Sequence, residues 1–478
     1  MADNPHWRSG SRALARYSHP VYSPSLIVSP LERPAWLSGR SRTVVVAISV
    51  LLAVAALLPW LITSGLSWYY HIDYDVYREG GRAFLEGQEL YTRLYQVEGI
   101  DLPFTYPPLA AILFAPLAWI PLGLGSALLT VATAVALWWC VVLVVRHSLP
   151  EWSDQDHRVI ATIVLPLALL AEPVRETLSF GQVNILLMTL VLTDVLARRT
   201  LLPRGVLIGL AAAIKLTPAV FILIFFVRRQ WREAATTVAS AVAVTLLAAL
   251  ISPQNSLTYW LDTLSDPGRI GGLAYAGNQS IRGMLTRLSD PEQTSSSLPW
   301  LVLVILALAT IITAMVLVER TARNTDASPD LGLVLLASLA ALLCSPVSWS
   351  HHWVWLVPFA VALAIAAWHA PKGTYRRLAF FLATGVTAVM LIGPHWLLPR
   401  TNDVEYDWPW WTQLLGNSYL VVAILILISA LWAPSLMIPS RTGVEPETTA
   451  RKVWSWVVLA TFASLAVSLL VRIILGPL

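Results

Sequence analysis

The sequence predicts an all-α polytopic membrane protein, and three observations carry that prediction. Hydrophobic residues make up 56% of the 478-residue chain and charged residues only 13%, against roughly 25% charge in an average soluble domain. Mean hydropathy is +0.66, and apolar runs recur near the length of about 20 residues that a helix needs to cross a bilayer. Twenty-two tryptophans exceed what a soluble fold uses, and their amphipathic rings suit headgroup depth.

Loop charge sets the expected threading. Residues 1–42, with Arg8, Arg12, Arg16, Arg33, Arg40 and Arg42 among Pro and Ser, read as a cytoplasmic, disordered tail. They are too long and polar for a signal n-region. The transmembrane domain is then residues 43–478, with a first outer loop over 67–121. Within that loop, residues 106–121 carry Pro107, Pro108, Pro116 and Pro121. They are expected to lie along the outer surface or re-enter there, where protein or a wet cavity covers the backbone. A full span there would put Arg146 outside. Residues 205–227 are flanked by Arg198, Arg199 and Arg204 before and by Arg228, Arg229 and Arg232 after. They therefore split into two short helices meeting at Lys215-Leu-Thr-Pro218, where Pro218 removes a donor. The count comes to about thirteen spans by the length rule, with the N-terminus cytoplasmic and the C-terminus outside. Every basic loop then falls inside, which explains the net charge of +4 and the pI near 9.1. No nucleic-acid partner is expected, because no basic stretch is interleaved with stacking aromatics. Cys140 and Cys344 lie in apolar runs without partners at ligand spacing and read as small buried hydrophobes.

This threading sorts polar motifs to the outer face, where ionisable groups at the membrane are functional candidates. Asp73 and Asp75 follow the first span. One can act as a general base, or both can cap the helix that begins near Val76. Lys215 can neutralise a phosphate as a flexible point charge or snorkel to headgroups. Arg269, in an Asp-Pro-Gly-Arg turn, is a weaker claimant to the same role. His351 and His352 are adjacent, which makes them poor co-ligands on a helix. One can hydrogen-bond a phosphate or donate a proton, or both can pack against Trp349, Trp353 and Trp355. No Walker loop, GxGxxG, CxxC pair, HExxH or GxSxG is present, so nucleotide-driven chemistry, zinc proteolysis and serine hydrolysis are not indicated. A carrier is the opposing class, but carriers often show internal repeats, and the proposed half-helices have no counterpart in the C-terminal half.

The ordered set Asp73-Tyr-Asp-Val-Tyr77, Leu102-Pro-Phe-Thr-Tyr106-Pro-Pro108, Phe180-Gly-Gln182-Val-Asn184, Lys215-Leu-Thr-Pro218, Asn278-Gln279 and Ser345-Pro-Val-Ser-Trp349-Ser-His-His-Trp353 resembles the actinobacterial polyprenol-phosphate-mannose-dependent alpha-(1→2)-mannosyltransferases. The resemblance runs from about residue 43 to the final helices and implies a GT-C fold. Asp75, Arg78-Glu-Gly-Gly81 and Ser-His-His make the chain look closer to the lipomannan/lipoarabinomannan-branching branch than to the branch that extends phosphatidylinositol mannosides. By the resemblance, Asp73 is the essential carboxylate, and His351 and His352 are the second functional element. It also implies a polyprenyl phosphate mannose donor, a glycolipid acceptor among membrane lipids, and inversion from a beta-linked donor to an alpha-linked product. A site on the outer plasma-membrane face, where no nucleotide is supplied, suits a lipid-linked donor. Asp73 would be the base, while Lys215, His351, His352 and Arg269 would meet the donor phosphate. Asp75, Tyr106, Gln182, Asn184, Asn278, Gln279 and Trp349 would position sugars. Neither a metal nor a cofactor is demanded.

Overall fold

The computed structural model describes residues 34–61 apart from 35 and 36, 70–289 apart from 267, 268 and 270, 297–439 apart from 326, 371 and 401, and 449–475. Most of the expected tail lies outside the described residues; its last part, from Gly39, already belongs to the first helix, α1 (Gly39–Leu61). The first loop then folds. It forms α2 (Ile72–Leu85), an antiparallel hairpin of β1 (Leu94–Val97) and β2 (Ile100–Pro103), and the short α3 (Pro108–Phe114), which runs on as a 3-10 turn to Trp119. Next come α4 (Leu122–Ser148), α5 (Asp154–Leu169), α6 (Glu172–Phe180), α7 (Asn184–Leu196), α8 (Val206–Ile214) and α9 (Ile222–Val227). After them run α10 (Trp231–Ile251), α11 (Pro253–Leu261), α12 (Ile281–Leu288), α13 (Leu298–Thr325) and α14 (Asp330–Cys344). The chain closes with α15 (Leu356–His369), α16 (Thr374–Ile392), α17 (Gln413–Gly416), α18 (Ser418–Trp432) and α19 (Thr449–Leu475).

The backbone is broken in both segments where the prolines and charges argue against a full span. Residues 106–121 contain no spanning helix, and α3 packs instead against α2, α8 and α10. Leu109, Ala213 and Ala248 form its buried apolar contact. The segment 205–227 breaks at Lys215, whose backbone is extended (φ −146°, ψ 126°), and resumes as a 3-10 turn over Thr217–Phe221 with Pro218 in its first positions.

The expected count of about thirteen spans is not confirmed. Among the described residues, six helices are long and apolar enough to cross a membrane, or eight if each of two pairs bent by 75° counts as one. The shortfall has a physical cause. Every residue of α14 except Ala341 and Cys344 is buried, so its apolar character answers to protein on all sides rather than lipid. At 15 residues it is about 22 Å long, short of a hydrocarbon core of about 30 Å. The α5–α6 pair bends where Ala171 turns extended, and Pro173 opens the new helix, a position where its missing N–H costs nothing. By contrast α1, α10 and α13 bury less than a quarter of their apolar stretches, as lipid-facing helices do. The protein is a multi-pass membrane protein, and among the described residues its regular structure is helical in all but one small hairpin.

Polar groups collect at the two ends of α4. Its first turn lies against α2, where a side chain at Gly125 would strike Tyr74. Its last turn, at the other end of a 27-residue helix about 40 Å long, carries Arg146, paired with Asp154 at 3.2 Å. At that far end His147 also feels the charges of Asp330, Arg228 and Arg204. Arg228 pairs with Asp330 and, at 3.7 Å, with Glu319.

The helix α2 can approach α3 because Gly81 has no side chain. A Cβ there would lie 2.6 Å from the Phe114 carbonyl oxygen, and backbone cannot move aside as a side-chain tip can. Gly81→Val is therefore expected to cost about 1–3 kcal/mol by overpacking, read as a lower melting temperature in detergent. An unchanged melt would mean that α2 is not seated on this contact.

Candidate active site

Asp73 and Asp75 both lie in the first turn of α2, and neither is its N-cap, which is His71. The capping alternative therefore fails. The free N–H groups of a helix start favour carboxylates there without a side-chain cap. Periodicity then separates the pair. Asp73, Val76 and Tyr77 share one helix face, at spacings of three and four, and all line a cavity of about 740 Å³. Asp75 shares another face with Arg78. It is buried, accepts hydrogen bonds from the Tyr70 hydroxyl and from Arg78 Nη1 at 3.4 Å, and does not line the cavity.

Gly181 brings the second element in. It terminates α6 in the left-handed region (φ +70°), where glycine carries no Cβ penalty. A Cβ would also lie 2.8 Å from that of Tyr74. This tight turn sends Gln182 towards Asp73 and starts α7 at Asn184. Gln182 Nε2 donates to Asp73 Oδ2 at 2.6 Å, while its Oε1 accepts from the Tyr77 and Tyr106 hydroxyls, each at 2.9 Å. Two hydroxyl donors on one side fix the amide orientation, leaving its NH2 for the carboxylate. Among the described residues, Asp73 Oδ1 accepts no hydrogen bond.

The extended backbone at Lys215 frees its side chain from either half-helix. Its Nζ donates to Asn184 Oδ1 at 2.9 Å and to the Tyr106 hydroxyl at 3.4 Å, and lies 3.3 Å from His352 Nε2. The histidines sit in a 3-10 turn, Ser350–Trp355, leading into α15. The backbone of His351 is held by Thr177 Oγ1 at 3.1 Å and Asn184 Nδ2 at 3.2 Å. Its buried Nε2 has no hydrogen-bond partner among the described residues, and its ring stands edge-on to that of His352 at 4.7 Å.

Asp73, Tyr106, Gln182, Lys215, Arg269, Trp349, His351 and His352 thus share one cavity. Asn184 borders a smaller pocket that adjoins it through Lys215 and His352. Arg269 reaches the wall and donates to the Tyr91 carbonyl at 2.6 Å. Asn278 and Gln279 are corrections. Both are fully buried, and neither lines the cavity. The Asn278 amide serves Leu273, Pro346 and the Ser348 N–H, and that of Gln279 serves Ala276, Gly416 and the Tyr419 N–H. They join loops and leave nothing for a sugar. Among the described residues, no three His, Cys, Asp or Glu side chains group as metal ligands do. Tyr77 was not assigned a role from sequence, although its spacing of four from Asp73 gave the signal. Glu172 likewise has no role assigned from sequence, and its buried contacts are described below.

Burial pushes the Asp73 carboxyl up to about 6, and the Gln182 hydrogen bond and the Lys215 charge hold it back from rising further. A base of that kind is ionised near neutrality and still strong enough to take a proton. The rate should therefore fall about tenfold per pH unit below 6. Removing the Gln182 donor removes a contact that favours the anion. Gln182→Leu is thus expected to move the acidic limb of kcat/KM to higher pH. A limb that stays in place would detach it from Asp73.

A sequence profile describing glycosyltransferase family 87 matches residues 104–346. The chain belongs to glycosyltransferase family 87. The matched stretch holds Tyr106, Gln182, Asn184, Lys215 and Arg269; Asp73 and the two histidines flank it. The chain is also 40% identical, over 75% of its length and 83% of that protein's, to the polyprenol-phosphate-mannose-dependent alpha-(1-2)-phosphatidylinositol mannoside mannosyltransferase of Mycolicibacterium smegmatis. It is 38% identical to the protein of the same description from Mycobacterium tuberculosis, over 80% of this chain and 90% of that one. Identity to a phosphatidylinositol pentamannoside mannosyltransferase of Mycolicibacterium smegmatis is 34%, over 84% and 93%. These relatives support the resemblance seen in the motifs, and a carrier is set aside.

Proposed function

We propose that this glycosyltransferase transfers mannose with inversion from polyprenyl phosphate mannose to a mannan-type glycolipid, lipomannan or lipoarabinomannan, forming alpha-(1→2) linkages on the outer face of the plasma membrane. The observation that carries the reading is the joining of Asp73 to Lys215 through Gln182 and Tyr106 in one cavity. A base and a phosphate-neutralising cation are thereby fixed at opposite ends of a short hydrogen-bonded chain. Asp73 Oδ1 takes the proton of the acceptor hydroxyl as its oxygen attacks C1 of the mannose. The C1–O bond to phosphate breaks on the far face, and the polyprenyl phosphate leaves with the electron pair. Lys215, with His351 and His352 beside it, meets the charge that gathers on the departing oxygens. The proton on Asp73 then passes to water. Location of the cavity at the end of α4 opposite Arg146, Arg204 and Arg228 supports an outer-face site, since basic residues favour the cytoplasmic side. That orientation also leaves the N-terminus cytoplasmic.

A second reading, transfer to phosphatidylinositol mannosides, is favoured by the descriptions of the relatives. The deciding experiment gives purified protein polyprenyl phosphate mannose with each acceptor class in turn. Alpha-(1→2) product on lipomannan supports the first reading, and product on phosphatidylinositol mannosides alone supports the second. Absence of transfer to either sinks both.

A further inference from the structure

Beyond Asp73, one wall of the cavity is aromatic. The ring of Tyr275 meets Trp349 at 6.0 Å (71°) and Trp396 at 5.9 Å (60°), and all three rings line the cavity. Close backbone at glycines backs them. A Cβ at Gly277 would meet Trp396 at 3.0 Å and Tyr275 at 3.2 Å, and one at Gly271 would meet Trp349 at 3.1 Å. Trp396 is further fixed from behind. Its Nε1 donates at 2.5 Å to Glu172, a wholly buried carboxylate that also accepts from the Tyr419 hydroxyl and from Ser350. Ser350 follows Trp349 directly, so one side chain ties together the segments that carry two of the rings.

The two ends of the cavity differ in kind. At the Lys215 end it adjoins the smaller pocket, whose other walls include Leu187, Val191, Phe221 and Trp355, a setting for hydrocarbon. At the aromatic end Tyr275 is 39% exposed. There Arg400, itself exposed, lies over the Trp396 ring at 5.1 Å and donates to its carbonyl. This end faces water. A lipid-linked donor arrives from the first end and a glycan from the second. The C–H groups on the flat side of a hexopyranose carry partial positive charge and suit the negative face of an aromatic ring.

We propose that Tyr275, Trp349 and Trp396 form the subsite that binds a mannose unit of the acceptor, and that Glu172 is the positioning residue that holds Trp396 in it. The inference rests on the function proposed above. Trp396→Leu and Tyr275→Ala are expected to raise the acceptor KM about tenfold, with donor KM and kcat at saturating acceptor held within about twofold, the pattern of a lost ground-state contact. Glu172→Leu should follow Trp396→Leu. Glu172→Gln, which keeps an acceptor for the indole N–H, should restore most of the affinity. Tyr275 is exposed enough that its variant tests the subsite even if the Glu172→Leu protein fails to fold. An unchanged acceptor KM in active Tyr275→Ala and Trp396→Leu proteins, or an equal rise in donor KM, overturns the subsite alone. A wild-type protein that transfers no mannose overturns the function and the subsite together.

Discussion

Asp73→Asn is expected to lower kcat by about a hundred- to ten-thousand-fold, the usual contribution of a positioned general base, while the protein still folds. The substitution keeps the shape of the side chain and an oxygen for the Gln182 amide, which donates to Asp73 at 2.6 Å. It removes only the capacity to accept the proton of the acceptor hydroxyl. Stability should move the other way. Burial raises the Asp73 carboxyl to about 6, so the ionised form is disfavoured in the folded protein. The stability this group contributes is then present below its ordinary value near 4 and is lost as pH rises through about 6. An uncharged side chain escapes that loss, and at pH 7.5 the variant should melt no lower than the wild type. Initial rates with polyprenyl phosphate mannose and acceptor, together with melts in detergent, check both claims. Transfer within tenfold of wild type would remove Asp73 from the chemistry, and a large drop in melting temperature would make it a structural residue.

How far the sequence reveals the molecule depends on whether a feature is local. Pro218 broke residues 205–227 where backbone chemistry said it would, and at Pro116 the short α3 gives way to a 3-10 turn. Both are properties of a few adjacent residues. The span count goes unconfirmed because hydropathy registers burial without saying in what. The helix α14 is as apolar as a lipid-facing span, yet protein surrounds it. Site residues divide similarly. Asp73 and Asp75 look equivalent as a pair, and only the 3.6-residue period of α2, once its start at Ile72 is known, turns one to the cavity and the other to Tyr70 and Arg78. Asn278 and Gln279 resemble sugar-binding amides, but amides that join loops have the same side chains, and only their partners distinguish them. Glu172 lies 224 residues from Trp396, a distance over which no spacing argument reaches.

Lys215→Met is expected to reduce kcat by about a hundred- to a thousand-fold, comparable to removing one donor from a developing oxyanion. The methionine stem retains most of the packing of the lysine against the Tyr106 ring, over which Nζ lies at 5.2 Å, so the loss should reflect charge. A second signature follows from the hydrogen-bonded chain. Lys215 favours the ionised form of Asp73, so its removal raises the carboxyl further. The acidic limb of kcat/KM should then move to higher pH, in the same direction as for Gln182→Leu. The two variants differ in what remains above that limb. Gln182→Leu should recover much of its rate at high pH, where Asp73 is ionised whatever its neighbours. Lys215→Met should stay depressed at every pH, since the departing phosphate still lacks its cation. Lys215→Arg keeps the charge and should leave the limb near its wild-type position. Its planar fork fits poorly among Asn184, Tyr106 and His352, so only part of the rate should return. Rates measured from pH 5 to 9 for the three variants separate these effects. A Lys215→Met protein whose rate returned at high pH would reduce Lys215 to an electrostatic partner of Asp73 and leave the phosphate to His351, His352 or Arg269.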